Sequence, residues 1–225
     1  MHIFKASLQL LLGAALCLLG ITTAFAEYEP NDNYSKLLLS YQSSKFAEPV
    51  CIDTVSGSEC HEGVAGPAAI YARQIIPNLA LGVAGSYLQS SGNASSIKSS
   101  NGSVFVQGIV GLGSSVDVGA SVAALRTTLQ RCISNTDACN SSSDSGTDVG
   151  VFGKVFLNNA KSVSATLSYN TISFQKSENQ SIVALSLVTI LEKRHRLALS
   201  VDRSINANGT SVSGGYVFGY SYLAL

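Results

Sequence analysis

The chain has 225 residues, with 14 Lys and Arg against 14 Asp and Glu and a formal net charge of zero. Charged residues are only 12% of it, about half the share of an ordinary soluble domain. Without clustered Lys and Arg a nucleic-acid partner is excluded, because phosphate recognition needs them.

The first residues read as a targeting signal. Met1 to Lys5 form a short basic start, Leu8 to Ile21 an apolar run, and Ala24-Phe25-Ala26 a small-x-small site before Glu27. This is the layout of a secretory signal peptide, and the apolar run is short for a spanning helix. Leu16 stands before Cys17 where a lipoprotein signal needs a small residue, so ordinary cleavage after Ala26 is expected. Residues 1–26 are then a cleaved leader, 27–33 a short periplasmic segment and 34–225 one domain. Lys5 leaves with the leader, so 13 basic residues face 14 acidic ones in the mature chain. Low charge without a mature apolar run of about 18 residues argues against membrane helices. It suits a barrel, where only every second residue meets lipid.

Cys51, Cys60, Cys132 and Cys139 remain after cleavage, in two close pairs within polar stretches. An even count in an exported chain reads as disulfides. Of the three connectivities that four cysteines allow, the local one is expected: Cys51–Cys60 and Cys132–Cys139. His61 beside Cys60 raises a metal site as the alternative, but neither pair has zinc-ligand spacing.

Period-two segments alternate with turn-rich ones, and the spacing predicts roughly ten strands. The first covers Tyr34–Gln42 and leads into a long loop holding Cys51 and Cys60. Ala68–Ile76 and Leu79–Gln89 follow, joined by the tight Pro77-Asn78 turn. A Ser/Gly/Asn loop over Ser90–Gly102 precedes Val104–Leu112, and Gly113-Ser114-Ser115 turns that strand into Val116–Leu129. The Cys132–Cys139 loop and a Ser/Asp tract run to Thr147. Asp148–Phe156 and Val163–Phe174 are joined at Asn158-Asn159-Ala160. A modest loop at Lys176–Gln180 leads to Ile182–Leu191, the charged turn Glu192–His195 to Arg196–Ser204, and Asn206–Thr210 to Val212–Tyr222. Long and short connections alternate, the asymmetry of a membrane barrel with short periplasmic turns and longer outer loops.

The two faces differ in size. Leu79, Leu81, Val83 and Tyr87 oppose Ala80, Gly82, Ala84 and Ser86; Val116, Val118, Ala120 and Val122 oppose Asp117, Gly119, Ser121 and Ala123. Val183, Leu185 and Leu187 oppose Ala184 and Ser186, and Leu197, Leu199 and Val201 oppose Arg196, Ala198, Ser200 and Asp202. A soluble sandwich would carry Lys, Glu, Arg and Thr on its wet face. Gly, Ala and Ser suit the crowded inside of a small closed barrel. Two segments break the rule: Arg73 falls in phase with Tyr71 and Ile75, and parity slips at Ile172 and Phe174, which suggests a bulge or a strand rising above the lipid.

The last strand sets Tyr216, Phe218, Tyr220 and Tyr222 against Val217, Gly219 and Ser221. An exported chain that repeats this pattern and closes on such a strand resembles a bacterial outer-membrane β-barrel, in architecture rather than in any particular family. The resemblance implies a closed antiparallel up-and-down transmembrane barrel of about ten strands, with eight or twelve as alternatives. It implies an outer-membrane location, an aromatic face against lipid and lipopolysaccharide, and handling by the barrel-assembly machinery. The assembly signal of such proteins usually ends on an aromatic residue, whereas here Leu223-Ala224-Leu225 follow Tyr222.

The inward parity carries Asp117, Lys154, Arg196 and Asp202. Charge inside a barrel must be paired or hydrated. These four therefore read as a salt-bridged plug or as a constriction that selects solutes by charge. The function expected is a narrow porin-like channel or a structural envelope component. The alternative is a surface adhesin or host- or phage-contact protein working through disulfide-pinned loops. No enzyme is expected: His61 sits in a polar loop beside Glu59 and Glu62, and His195 in a short inner turn. Asn-x-Ser/Thr triplets at Asn93, Asn101, Asn140 and Asn208 read as loop composition. Gly111-Leu112-Gly113 leads into a strand, not a phosphate-binding helix, and no cofactor is expected. Small solutes or surface ligands are the remaining partners.

Overall fold

Backbone N–H and C=O groups cannot be left unpaired in hydrocarbon, so alternating strands cross a membrane only when the sheet closes on itself. The computed structural model describes Pro30 and residues 34–222, apart from Ser56, 135–137, 192–194 and 207–210. The expected signal peptide and most of the 27–33 segment lie outside the described residues.

Ten strands form the wall: β1 (Lys36–Thr54), β2 (Gly57–Ile76), β3 (Leu79–Ser91), β4 (Ser95–Leu112), β5 (Val116–Ile133), β6 (Ala138–Phe156), β7 (Val163–Phe174), β8 (Gln180–Leu191), β9 (His195–Asn206) and β10 (Ser211–Tyr222). Each pairs antiparallel with its sequence neighbours. β1 closes the barrel on β10, from Leu37 opposite Tyr222 to Phe46 opposite Ser213.

The expected strand number and turns hold, but the expected long loops do not. The stretches containing Cys51, Cys60, Ser90–Gly102 and Cys132–Thr147 are mostly strand. β1, β2, β4, β5 and β6 run 18 to 20 residues, whereas β7 to β10 have 12 each. A tilted membrane strand needs only about 9–11 residues, so the five long strands continue well beyond it. Their Ser, Asn and Thr side chains hid the strands from a reading based on apolar alternation, because outside the lipid neither face has to be greasy. Gly57, at φ 122°, and Gly113, at φ 67°, take left-handed conformations at tight ends of the wall.

The parity break on β7 resolves without a bulge, whereas on β2 the register with β3 shifts between Gln74 and Ile76, just past Arg73. On β2, Tyr71, Arg73 and Ile75 are all exposed and Ala72 is buried; Arg73 stands three residues before the strand ends at Ile76, where a long charged stem can extend toward water. On β7 the register is continuous to Ile172 on both sides, so Ile172 and Phe174 simply keep inward parity at the outer end. The other register irregularities lie between Lys45 and Val50 on β1 and between Ser211 and Ser213 on β10.

Outward positions are large and apolar. Leu39, Tyr41, Val83, Val151, Leu167, Leu187 and Val201 are all exposed on the outer surface. The small residues inside make room for a few large rings. A Cβ on Gly82 would lie 2.3 Å from the Phe105 ring, and one on Gly119 would lie 2.3 Å from the Phe152 ring and 2.6 Å from the Gly108 carbonyl. Glycine is required there by close approach.

On β10, Phe218 is 57% exposed and Tyr220 40%, while Gly219 is buried against Leu38. The side chains of Tyr216, Ser221 and Tyr222 lie outside the described residues. Phe218→Arg should impair insertion, at about 2–4 kcal/mol near mid-bilayer. Gly119→Ala should insert but lose about 1–3 kcal/mol by overpacking. Folding into lipid vesicles followed by the gel shift between unheated and boiled samples measures both. Equal behaviour of Phe218→Arg and wild type would place Phe218 away from lipid.

Candidate functional site

At the short-turn end a residue that sequence reasoning placed in the wall enters the lumen. β1 begins at Lys36, and Tyr34 turns into the barrel, where it is 7% exposed. Its backbone N–H donates to Gln74 Oε1 (3.0 Å), and the Gln74 N–H donates to Ser35 Oγ (2.9 Å), which fixes the segment to β2. The Tyr34 hydroxyl donates to Asp117 Oδ2 at 3.0 Å. Asp117 belongs to β5, nearly opposite β1 in the closed order, so this single side chain bridges the lumen.

The remaining floor is assembled around that bridge. Asp117 and Lys154 are register partners on β5 and β6, and both are buried. Lys154 Nζ lies 5.2 Å from the Tyr34 ring centroid and 5.0 Å from that of Phe156, within cation–π range. The Phe152 ring packs tilted against Tyr34 at 6.1 Å, and Ala80 and Ile109 complete the cluster. Arg196 enters from β9, also buried. Burial of three ionised groups in one layer requires such mutual solvation.

Of the four predicted lumen charges, Asp117 and Lys154 are therefore adjacent and Arg196 lines the same cavity. Asp202 stands six residues further along β9, opposite Gly215 and away from the floor. Sequence reasoning missed Tyr34, Lys36, which also lines the cavity, and Asp148, which accepts from Asn170 Nδ2 at 2.9 and 3.2 Å. The one available signal was Lys36 itself, two residues before Leu38 on the inward parity.

Above the floor lies a half-open cavity of about 380 Å³, bounded mainly by β1 and β6 to β9. Its wall carries Ser40, Gln42, Ser168, Asn170, Ser186 and Ser200. The outer end on the β1–β5 side is filled instead by an apolar cluster of Ile52, Val64, Leu88 and Ile97, with Phe46, Val50, Leu129 and Ile133 against it.

The outer hairpins are tied in three ways. Disulfides join Cys51 to Cys60 and Cys132 to Cys139, each pair directly opposite in register. The Glu59 carboxylate accepts from Asn93 N–H (2.6 Å), Ala94 N–H (3.1 Å) and Ser95 Oγ (2.5 Å), clasping the β3–β4 tip to β2. Asp144 accepts from Lys176 N–H (3.2 Å) and Ser177 N–H (2.8 Å), clasping the β7–β8 connection to β6.

His61 departs from its expected place in a solvated loop. It is buried, with Nδ1 2.9 Å from Ser90 Oγ and Nε2 2.9 Å from Ser95 Oγ. Ser95, wholly buried, stands between His61 and Glu59; a hydrolytic triad needs the imidazole between the hydroxyl and the carboxylate. His195 begins β9 and holds the Tyr220 hydroxyl at 2.5 Å. Cys51, Cys60, Cys132 and Cys139 are all in disulfides, and no metal-holding group of three His, Cys, Asp or Glu occurs among the described residues.

The chain matches no protein-family model, and no curated protein matches it in sequence. Several solved outer-membrane barrels align with it along most of their length. An outer membrane channel from Pseudomonas putida F1 aligns at 8% identity and TM-score 0.47, covering 87% of this chain and 97% of that one. The outer membrane protease OmpT of Escherichia coli aligns at 11% and 0.45, covering 87% and 98%. Ail, the attachment invasion locus protein of Yersinia pestis, in complex with the heparin analogue sucrose octasulfate, aligns at 10% and 0.42, covering 84% and 96%. The chain itself is a closed antiparallel barrel of ten strands.

Both clasps lie beyond the apolar band, and both carboxyls are held below their ordinary pKa. For Glu59 the leading cause is the Ser95 hydroxyl, then the Asn93 amide; for Asp144 it is Ser177. A depressed carboxyl stabilises fully above its unfolded pKa, and that contribution is lost as pH falls through the folded one. The clasps should hold at neutral pH and release only in acid. In detergent micelles, the NMR amide signals of Asn93 and Ser177 should titrate with midpoints below 4.5 and 3.8, the ordinary values for Glu and Asp. Midpoints at or above those values would refute the clasps.

Proposed function

We propose that the protein is an outer-membrane surface barrel whose lumen is a cup closed at its periplasmic end, with the disulfide-stapled hairpins as its contact surface toward the outside. The Tyr34–Asp117 hydrogen bond across the lumen carries this reading, because it sets a tyrosine ring and three buried charges where a channel would need a water path. The extended β1–β2 and β5–β6 hairpins support the second half. They continue past the length a membrane strand needs, are covalently stapled and pack on their own apolar cluster, as a rigid contact surface requires.

In this reading residues 1–26 direct export and are removed after Ala26. The even strand number puts both ends of the barrel on the periplasmic side. The outward aromatic residues meet lipid and lipopolysaccharide, and the last strand is the handle for the barrel-assembly machinery. The sequence-based preference for a channel gives way to the surface-contact alternative. The barrel carries no catalytic role in this reading, since the buried Ser95 offers no reachable nucleophile.

Conductance decides it. Purified protein in planar lipid bilayers should show no discrete current steps, whereas Tyr34→Gly should open a measurable path. An epitope inserted after Val55, at the β1–β2 tip, should be detected on intact cells. Regular current steps from the wild type would overturn the closed cup, and an epitope seen only after lysis would overturn the outward orientation.

A further inference from the structure

We infer that the outer surface of the barrel holds a phosphate of lipopolysaccharide between Lys45 and Arg203. The inference rests on the outward orientation proposed above, which places this end of the strands in the outer leaflet.

The two cations flank the seam where the barrel closes. Lys45 of β1 is opposite Gly214 of β10, and Gly214 is opposite Arg203 of β9, so the three positions form one register row. Lys45 shares the outward parity of Leu37, Leu39 and Tyr41, and Arg203 that of Leu199 and Val201; both side chains are exposed. Strands spaced about 4.8 Å apart set the two Cα atoms roughly 10 Å from each other. The residue between them is a glycine, so no side chain fills the gap. A phosphate seated there is within reach of both stems, and it accepts from a guanidinium fork and an ammonium at once.

Neither cation is already neutralised. Lys45 and Arg203 have no carboxylate partner among the described residues. The neighbouring stretch outside them, 207–210, is Ala-Asn-Gly-Thr and brings no acid. Glu48 and Glu62, the exposed acids beside Lys45 in the β1–β2 pairing, stand further out than it does. Arg203 faces Val183 and Gly214, and Asp202 takes the opposite, inward parity.

The surface below the pair specifies a lipid rather than a free phosphate. Tyr41, Phe218 and Leu199 form one exposed row, with exposed Val201 and Leu185 paired above Leu199. Lys45 and Arg203 each stand four residues beyond that row, about 13 Å along the strand. Strand tilt reduces this to roughly 10 Å of height, near half the thickness of an apolar band about 25 Å tall. A phosphate at that level lets its own acyl chains lie down the apolar row, so both kinds of contact act on one molecule. A soluble phosphate would have only two exposed cations, where pairing in water is weak.

Native mass spectrometry of the full barrel, refolded in a non-ionic detergent and titrated with lipid A, tests this. Saturable binding is expected, at least about tenfold tighter than that of dephosphorylated lipid A, because charge-assisted hydrogen bonds are lost with the phosphates. Inorganic phosphate at the same concentration should not displace it. Lys45→Gln and Arg203→Gln should each weaken binding about tenfold. Arg73→Gln, the same charge change near the opposite end of the wall, should leave it unchanged. The unheated gel band checks that each variant is folded, and if one fails to fold the other decides. Equal affinity for dephosphorylated lipid A, displacement by inorganic phosphate, or wild-type affinity in the variants would overturn the inference. Binding in micelles does not depend on orientation, so the two readings fail separately: an epitope after Val55 seen only after lysis refutes the outward orientation, whatever lipid A does.

Discussion

Closure of the backbone ladder is the constraint on which everything else in this protein depends. In lipid there is no water to take up a stray N–H or C=O, so β1 must find β10 across nearly the whole length of the chain. The seam from Leu37–Tyr222 to Phe46–Ser213 meets that requirement. It also sets the diameter, because ten strands enclose little more than their own side chains. The small inward residues follow from the same geometry: where a ring such as Phe105 or Phe152 does point inward, a glycine on the adjoining strand yields its place.

The narrow lumen turns one extra side chain into a floor. Tyr34 lies just outside the first strand and spans the barrel because the opposite wall is within reach of a tyrosine hydroxyl. Its aromatic face offers Lys154 a surface, and its hydroxyl offers Asp117 a donor, so two charged side chains are accommodated in one layer at the short-turn end. Closure of the wall and closure of the floor are thus different achievements: backbone hydrogen bonds make the first, and a few side chains make the second.

The outer half obeys other rules. Beyond the lipid the long strands no longer need a greasy outer face, and inward positions on β1 to β4, Ile52, Val64, Leu88 and Ile97, form a core of their own. Hairpins held by backbone ladders alone would fray at such a distance from the membrane. Disulfides near two tips and carboxylates gripping backbone amides at two others hold them, and His61 is buried as part of that frame rather than as a reactive group.

Within the membrane the sequence alone determined a good deal. The alternation of Leu, Val and Tyr with Gly, Ala and Ser is imposed by lipid on one side and crowding on the other, so strand number, closure and the outward faces of Phe218 and Tyr220 were legible residue by residue. The inward parity of Asp117, Lys154 and Arg196 was legible for the same reason. What the tertiary structure decided lies where that pressure ends. Polar strands outside the lipid carry no period-two signal, so Ser95–Asn101 and Ala138–Thr147 read as loops until their partners were seen. No local pattern could reveal that Tyr34 leaves the wall to meet a residue 83 positions away. Nor could it show that Asp117, Lys154, Lys36 and Arg196, carried on four strands, share one floor, because that proximity exists only once the barrel is closed.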